Sequence, residues 1–144
     1  MSEQIVRQHV RIHAPIEQVF DFFADHKRFI TLLGARCTVI QPGTPPPYGL
    51  GSVRRMGFGP LAFEETTLTY KPHEQLEYAI TRGGPMRAHR GTIDFRREDD
   101  TTVVDYVIRF EARLPLIGPL IAKALALAWS LNAPRALKKL ERAT

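Results

Sequence analysis

The stretch over residues 114–144 constrains this chain most. It is rich in Leu and Ala, both strong helix formers. Pro115 and Pro119 stand near its start, where a missing N–H does least harm. A step of about 100° per residue sets Leu120, Ala124, Leu127 and Leu131 on one face, with Ile121, Leu125, Ala128 and Trp129 round the flank and back. Only Lys123 and Ser130 mark a polar edge before Pro134, and so wide an apolar band predicts burial on more than one side. Arg135, Lys138, Lys139 and Arg142 suit the negative end of the helix dipole. Pro134 lies inside the run and is expected to kink it. The pattern predicts one long C-terminal helix lying across a curved sheet, with an apolar space between them.

The rest of the chain supplies that sheet. Residues 5–13 alternate, with Val6, Val10 and Ile12 on one face and Arg7, His9, Arg11 and His13 on the other, as a half-buried strand does. Pro15 opens a helix over 16–24 whose apolar side is Val19, Phe20, Phe22 and Phe23, and Asp25-His26 starts a second short helix reaching Leu33. Residues 36–41 read as a strand and 42–51, with three consecutive prolines, as a stiff loop. Five further strands are predicted over 52–58, 61–70, 74–81, 86–97 and 102–112, with short breaks that make antiparallel hairpins. Segregated strands and helices indicate an α+β chain, and 144 residues indicate a single domain over 1–144.

Several chemistries find no footing here. His9 and His13 are four residues apart, but on a strand that is ~13 Å, too far for one metal ion. The glycine pairs Gly49/Gly51 and Gly57/Gly59 lack the third glycine and helix start of a dinucleotide loop. Glu64 and Glu65 are adjacent, so on a strand they face opposite ways and cannot work as a pair. Cys37, the one cysteine, reads as a buried thiol rather than a nucleophile. No metal and no cofactor is expected. The formal charge of +5 is scattered, without the interleaved aromatics of a nucleic-acid surface, so no nucleic acid is expected. Contact with an anionic membrane, at the back of the last helix near Trp129, and a homodimer both stay open as partners. The opening Met-Ser-Glu-Gln has no apolar secretory run, and the apolar run 114–129 is shorter than a membrane span and interrupted by Lys123 and prolines, so a cytoplasmic protein is expected.

Residues 10–25, reading VRIHAPIEQVFDFFAD, resemble the opening of the START-like, or polyketide cyclase/dehydrase, superfamily, in which a strand ends at Ala-Pro before a helix with a Val-aromatic pair. Residues 68–77 resemble its strand–Pro–strand hairpin and 137–140 the end of its last helix. The resemblance covers essentially the whole chain. It implies a helix-grip fold: a seven-stranded antiparallel curved sheet wrapped around a long C-terminal helix, with two short helices after the first strand. It also implies a cavity between sheet and helix for a lipid, polyketide or similar apolar molecule, which some members only bind and others cyclise.

Alternation names the residues expected to face that cavity. They are Met56 and Phe58, Phe63, Tyr78 and Ile80, His89 and Ile93, and Tyr106, Ile108 and Phe110 from the strands. Leu120, Ala124, Leu127 and Leu131 join them from the helix. Between 61 and 70 the register is ambiguous, because Leu61 and Phe63 argue one way and Leu68 and Tyr70 the other, which a bulge would reconcile. Each side chain taken singly reads as core filling, but Gly91 and Ala124 among larger residues predict room for a ligand. Tyr78, Tyr106, His89 and one of Arg54 or Arg55 are the polar groups that would orient it. The function expected is binding of a small hydrophobic ligand. The alternative is a cyclase/dehydrase-type enzyme in the same cavity, with His89 or a tyrosine as acid or base.

Overall fold

The computed structural model of the chain describes residues 3–57 and 59–143. Its seven strands are β1 (Gln4–Ile12), β2 (Cys37–Gln41), β3 (Val53–Met56), β4 (Phe63–Lys71), β5 (Gln75–Gly83), β6 (Met86–Glu98) and β7 (Thr101–Ala112). They form one antiparallel sheet in the order β1-β7-β6-β5-β4-β3-β2. Helices α1 (Ile16–Ala24) and α2 (His26–Phe29) follow β1, and α3 (Gly118–Arg142) ends the chain. This is the α+β helix-grip architecture that the pattern and the resemblance predict.

Local chemistry sets the element ends. Ala14-Pro15 stops β1, and the Pro15 carbonyl accepts the first α1 bond from the Val19 N–H at 3.1 Å. The Asp25 carboxylate accepts from the Arg28 N–H at 3.3 Å and so starts α2. A 3-10 turn at Ile30–Leu33 continues α2 and closes on Gly34, whose φ of 73° needs a residue without Cβ strain. In β4 the register against β5 shifts between Thr67 and Thr69, the bulge that the conflicting apolar positions call for. Phe63, Glu65 and Thr67 then share the inward side, while Leu61 and Leu68 stay exposed.

The core lies between the concave sheet and the helices. Phe20 and Phe23 of α1 stack edge-on against Phe95 of β6 at 5.2 and 5.7 Å. Phe29 of α2 meets Tyr106 at 5.4 Å, and Trp129 of α3 meets the same tyrosine at 5.7 Å.

One element corrects the sequence-based expectation. Leu120, Ala124, Leu127 and Leu131 do not look inward: all four are exposed. Trp129, Ala133 and Leu140 are buried instead, with Ile121, Leu125, Ala136 and Leu137 packed beside them. The helix is apolar on two sides, so periodicity alone offers two faces. Trp129, whose indole finds Tyr106, decides between them, and the back of the helix is therefore not at Trp129. The expected burial on more than one side does not occur. Pro134 does not interrupt the helix, which is continuous from Gly118 to Arg142. Among the described residues no helix is long and apolar enough to cross a membrane.

Candidate functional site

The inner face of the sheet carries a run of cross-strand neighbours that bring polar groups together. Arg54 on β3 stands opposite Glu65 on β4. Thr67 stands opposite Tyr78 on β5, Tyr78 opposite Gly91 on β6, and Ile93 opposite Tyr106 on β7. His26, at the start of α2, closes over this row, its Nε2 3.0 Å from Glu65 Oε1. Arg54, Glu65, His26, Thr67, Tyr78, His89 and Tyr106 are all buried.

Arg54 has no exposed surface at all. Its Nη1 donates to the Ser52 carbonyl at 3.1 Å and to Thr67 Oγ1 at 2.5 Å, and its Nη2 lies 3.8 Å from Glu65 Oε1. Nε and Nη2 make no hydrogen bond, and neither does the buried Ser52 hydroxyl. Burial works against the guanidinium charge, and Glu65 restores part of it. Burial likewise lowers the His26 pKa from its ordinary value against the pull of Glu65. With the proton on Nε2 toward the carboxylate, Nδ1 keeps a lone pair.

The hydroxyls of Tyr78 and Tyr106 are in direct hydrogen-bond contact. Burial raises both phenols, that of Tyr78 well above its ordinary value. His89 is buried, and its Nδ1 accepts the Ile80 N–H at 3.1 Å. Burial lowers its pKa.

Gly91 does not leave room. A Cβ there would stand 2.4 Å from Tyr78 Cζ, so the tyrosine ring already lies on the glycine backbone. Ala124 faces solvent. Both grounds for an open cavity therefore fail, and the space beside the cluster is about 10 Å3, about one water. Phe23, Ala24, His26, Phe29, Tyr48, Arg54 and Thr67 wall it, with Leu76, Glu77, Tyr78 and Ile93. A cleft of about 370 Å3 opens to solvent on the far side of Ala24 and Tyr48, between α1 and the proline loop.

Of the residues expected to face a ligand, Tyr78 and Ile93 reach this small space, and His89 lies against the Tyr78 ring at 5.6 Å. Met56, Tyr106, Ile108 and Phe110 are buried core, while Phe63 and Ile80 are half-buried. Phe58 lies outside the described residues, and Leu120, Ala124, Leu127 and Leu131 are outside the grip. Between the two arginines left open, Arg54 is inside and Arg55 pairs with Glu64 outside at 2.9 Å. Sequence reasoning missed Glu65, Thr67 and His26 as inner residues. Spacing by two from Phe63 pointed at the first two, and weighting apolar side chains hid them.

Residues 3–144 match the pattern of a family described as polyketide cyclase/dehydrase and lipid transport. No curated protein matches the chain at a significant level. Solved structures do. A START superfamily protein from Mycobacterium smegmatis is 14% identical with a TM-score of 0.74, covering 97% of this chain and 99% of its own. Zhui aromatase/cyclase from Streptomyces sp. R1128 is 15% identical with a TM-score of 0.72, over 98% and 95%. Truncated norcoclaurine synthase from Thalictrum flavum is 16% identical with a TM-score of 0.69, over 96% and 93%. Likeness at these identities speaks for the fold alone.

Proposed function

As the chain belongs to the polyketide cyclase/dehydrase and lipid transport family, we propose that it binds a small, mainly apolar molecule bearing an oxygen acceptor, such as a carboxylate or carbonyl, inside the grip. One observation carries the reading. Arg54 is a fully buried cation, ion-paired with Glu65 at 3.8 Å, whose Nε and Nη2 donors make no hydrogen bond. A buried donor left without a partner costs about 1–3 kcal/mol, more when charged, and such groups persist where function uses them. A guanidinium edge fits a planar oxygen pair. Tyr78, Tyr106, Phe29 and Ile93 around it would supply apolar burial worth about 25 cal/mol per Å2. The space beside Arg54 is only about 10 Å3, so the ligand displaces side chains, and Tyr48 and Ala24 stand between that space and the outer cleft.

The test uses a dansyl-labelled medium-chain fatty acid and its analogue lacking the carboxyl group. The acid is expected to bind at least about tenfold tighter, and Arg54→Met to erase that preference while thermal unfolding stays cooperative. Failure of the wild type to bind either probe, or an unchanged preference in the variant, would refute the reading.

A second reading is an enzyme of the cyclase/dehydrase type, favoured by His26. A neutral imidazole held by Glu65 beside buried tyrosines suits proton transfer at a ligand carbon. His26→Gln would then abolish turnover of a poly-β-keto thioester while leaving binding of the dansyl acid. Turnover equal to wild type would remove His26 from the chemistry. The Nδ1 atom of His89 is already engaged by the Ile80 amide, which makes it the weaker acid/base.

A further inference from the structure

The face of α3 that turns away from the core presents a row of leucines to water. Leu120, Leu127 and Leu131 are 65%, 59% and 68% exposed, and Leu116, just ahead of the helix, is 89% exposed. Leu116 has φ of 72°, a conformation leucine rarely adopts, which holds it at the tip of the turn. At about 100° per residue, the same face continues into Lys138 and Arg142, with Lys123 and Arg135 on its two edges. All four basic side chains are exposed. Glu141 is the one acid in the α3 sequence, and its carboxylate accepts the His13 N–H at 2.8 Å. One face is thus apolar in its first half and cationic in its second.

We propose that this face docks on an anionic phospholipid membrane, lying in the interface plane. The leucines enter the boundary of headgroups and acyl chains while Lys138, Arg142, Arg135 and Lys123 meet lipid phosphates. The helix lies on the membrane and does not span it, since it is not long and apolar enough to cross. Charge selects this occupant. A second copy would bring these cations against each other or against leucines, and the one carboxylate at the edge of the face, Glu141 on the Lys123 side, already accepts the His13 N–H. An anionic bilayer supplies negative charge and an apolar layer together. The inference is independent of any ligand inside the grip.

Co-sedimentation of the full chain with vesicles tests it, using phosphatidylglycerol mixed into phosphatidylcholine, against phosphatidylcholine alone. Binding is expected to the mixed vesicles and to weaken with salt. Leu120→Ser/Leu127→Ser should weaken it at least about tenfold, and Lys138→Glu at least about fivefold. Arg7→Glu, the same charge change on the outer face of β1, should stay within about twofold, with circular dichroism unchanged throughout. Four results would overturn the proposal. The first is no binding by the wild type. The second is leucine variants that bind as well as wild type, which makes the attraction generic basic adsorption. The third is an equal loss from Arg7→Glu, which makes it net charge. The fourth is a dimer in sedimentation equilibrium that the leucine variants dissociate, without vesicle binding, which makes a second copy the occupant.

Discussion

Arg54 and Glu65 face each other across the β3–β4 ladder with no more than 4% of either residue exposed. Removing one partner of such a pair strands the other charge, whereas replacing both by apolar groups is often neutral or stabilising. Glu65→Leu is therefore expected to cost about 3 kcal/mol or more in urea unfolding, and Arg54→Met/Glu65→Leu to recover most of it. A silent single variant would mean that Arg54 finds its counter-charge elsewhere. The two buried histidines give a pH signature. Burial depresses both folded pKa values below the ordinary 6.5. Below pH 6.5 the unfolded chain takes up protons that the folded chain refuses. Their contribution is fully present above about pH 6.5 and is lost as the pH falls through the depressed folded values. His26→Gln/His89→Gln should flatten the stability curve in that window, measured by urea unfolding at stepped pH. An unchanged slope would show that other groups carry it. At this scale His89 was legible from alternation along β6, and its environment was not. Its burial depends on Tyr78, which stands on the neighbouring strand.

Elements were the most legible level, because turns and alternation are local. The strand–Pro–strand hairpin of β4 and β5 and the bulge in β4 follow from the apolar pattern and the breaks in it. The facing of α3 was not legible. Leucine and alanine occur all round it, so the sequence carries two apolar stripes and only the partner surface, at β1, the turn after α2 and the Tyr106 ring of β7, selects one. Pro134 also behaves differently in context. It sits exposed on a helix that continues through it, so the missing amide leaves the Ser130 carbonyl without its i+4 donor. Pro134→Ala restores that donor and removes the ring's clash. It is expected to raise stability by about 1–3 kcal/mol, less than the full helix-interior penalty because the fold has already adjusted. Thermal unfolding checks this, and a lowered midpoint would show that the proline ring contributes packing that outweighs the lost bond.

For the whole molecule, closure of the grip decides how function can begin. Small residues at Gly91 and Ala124 suggested a hollow, yet occupancy is a property of neighbours: Tyr78 fills the first site and solvent the second. Aromatic side chains from α1, α2, β5, β6, β7 and α3 then pack the remaining space down to about 10 Å3. A ligand at Arg54 must therefore pass a wall. Two residues, Ala24 and Tyr48, line both the inner space and the outer cleft of about 370 Å3 and so stand between them. Tyr48 is the larger of the two and only half-buried, and its ring stands 6.5 Å from that of His26. Tyr48→Ala removes the barrier without touching the guanidinium proposed to fix the ligand. Stopped-flow association of the dansyl acid should then quicken by roughly tenfold while its equilibrium affinity changes by less, as expected when a gate rather than a contact is removed. An association rate equal to wild type would move the way in to another side of the grip.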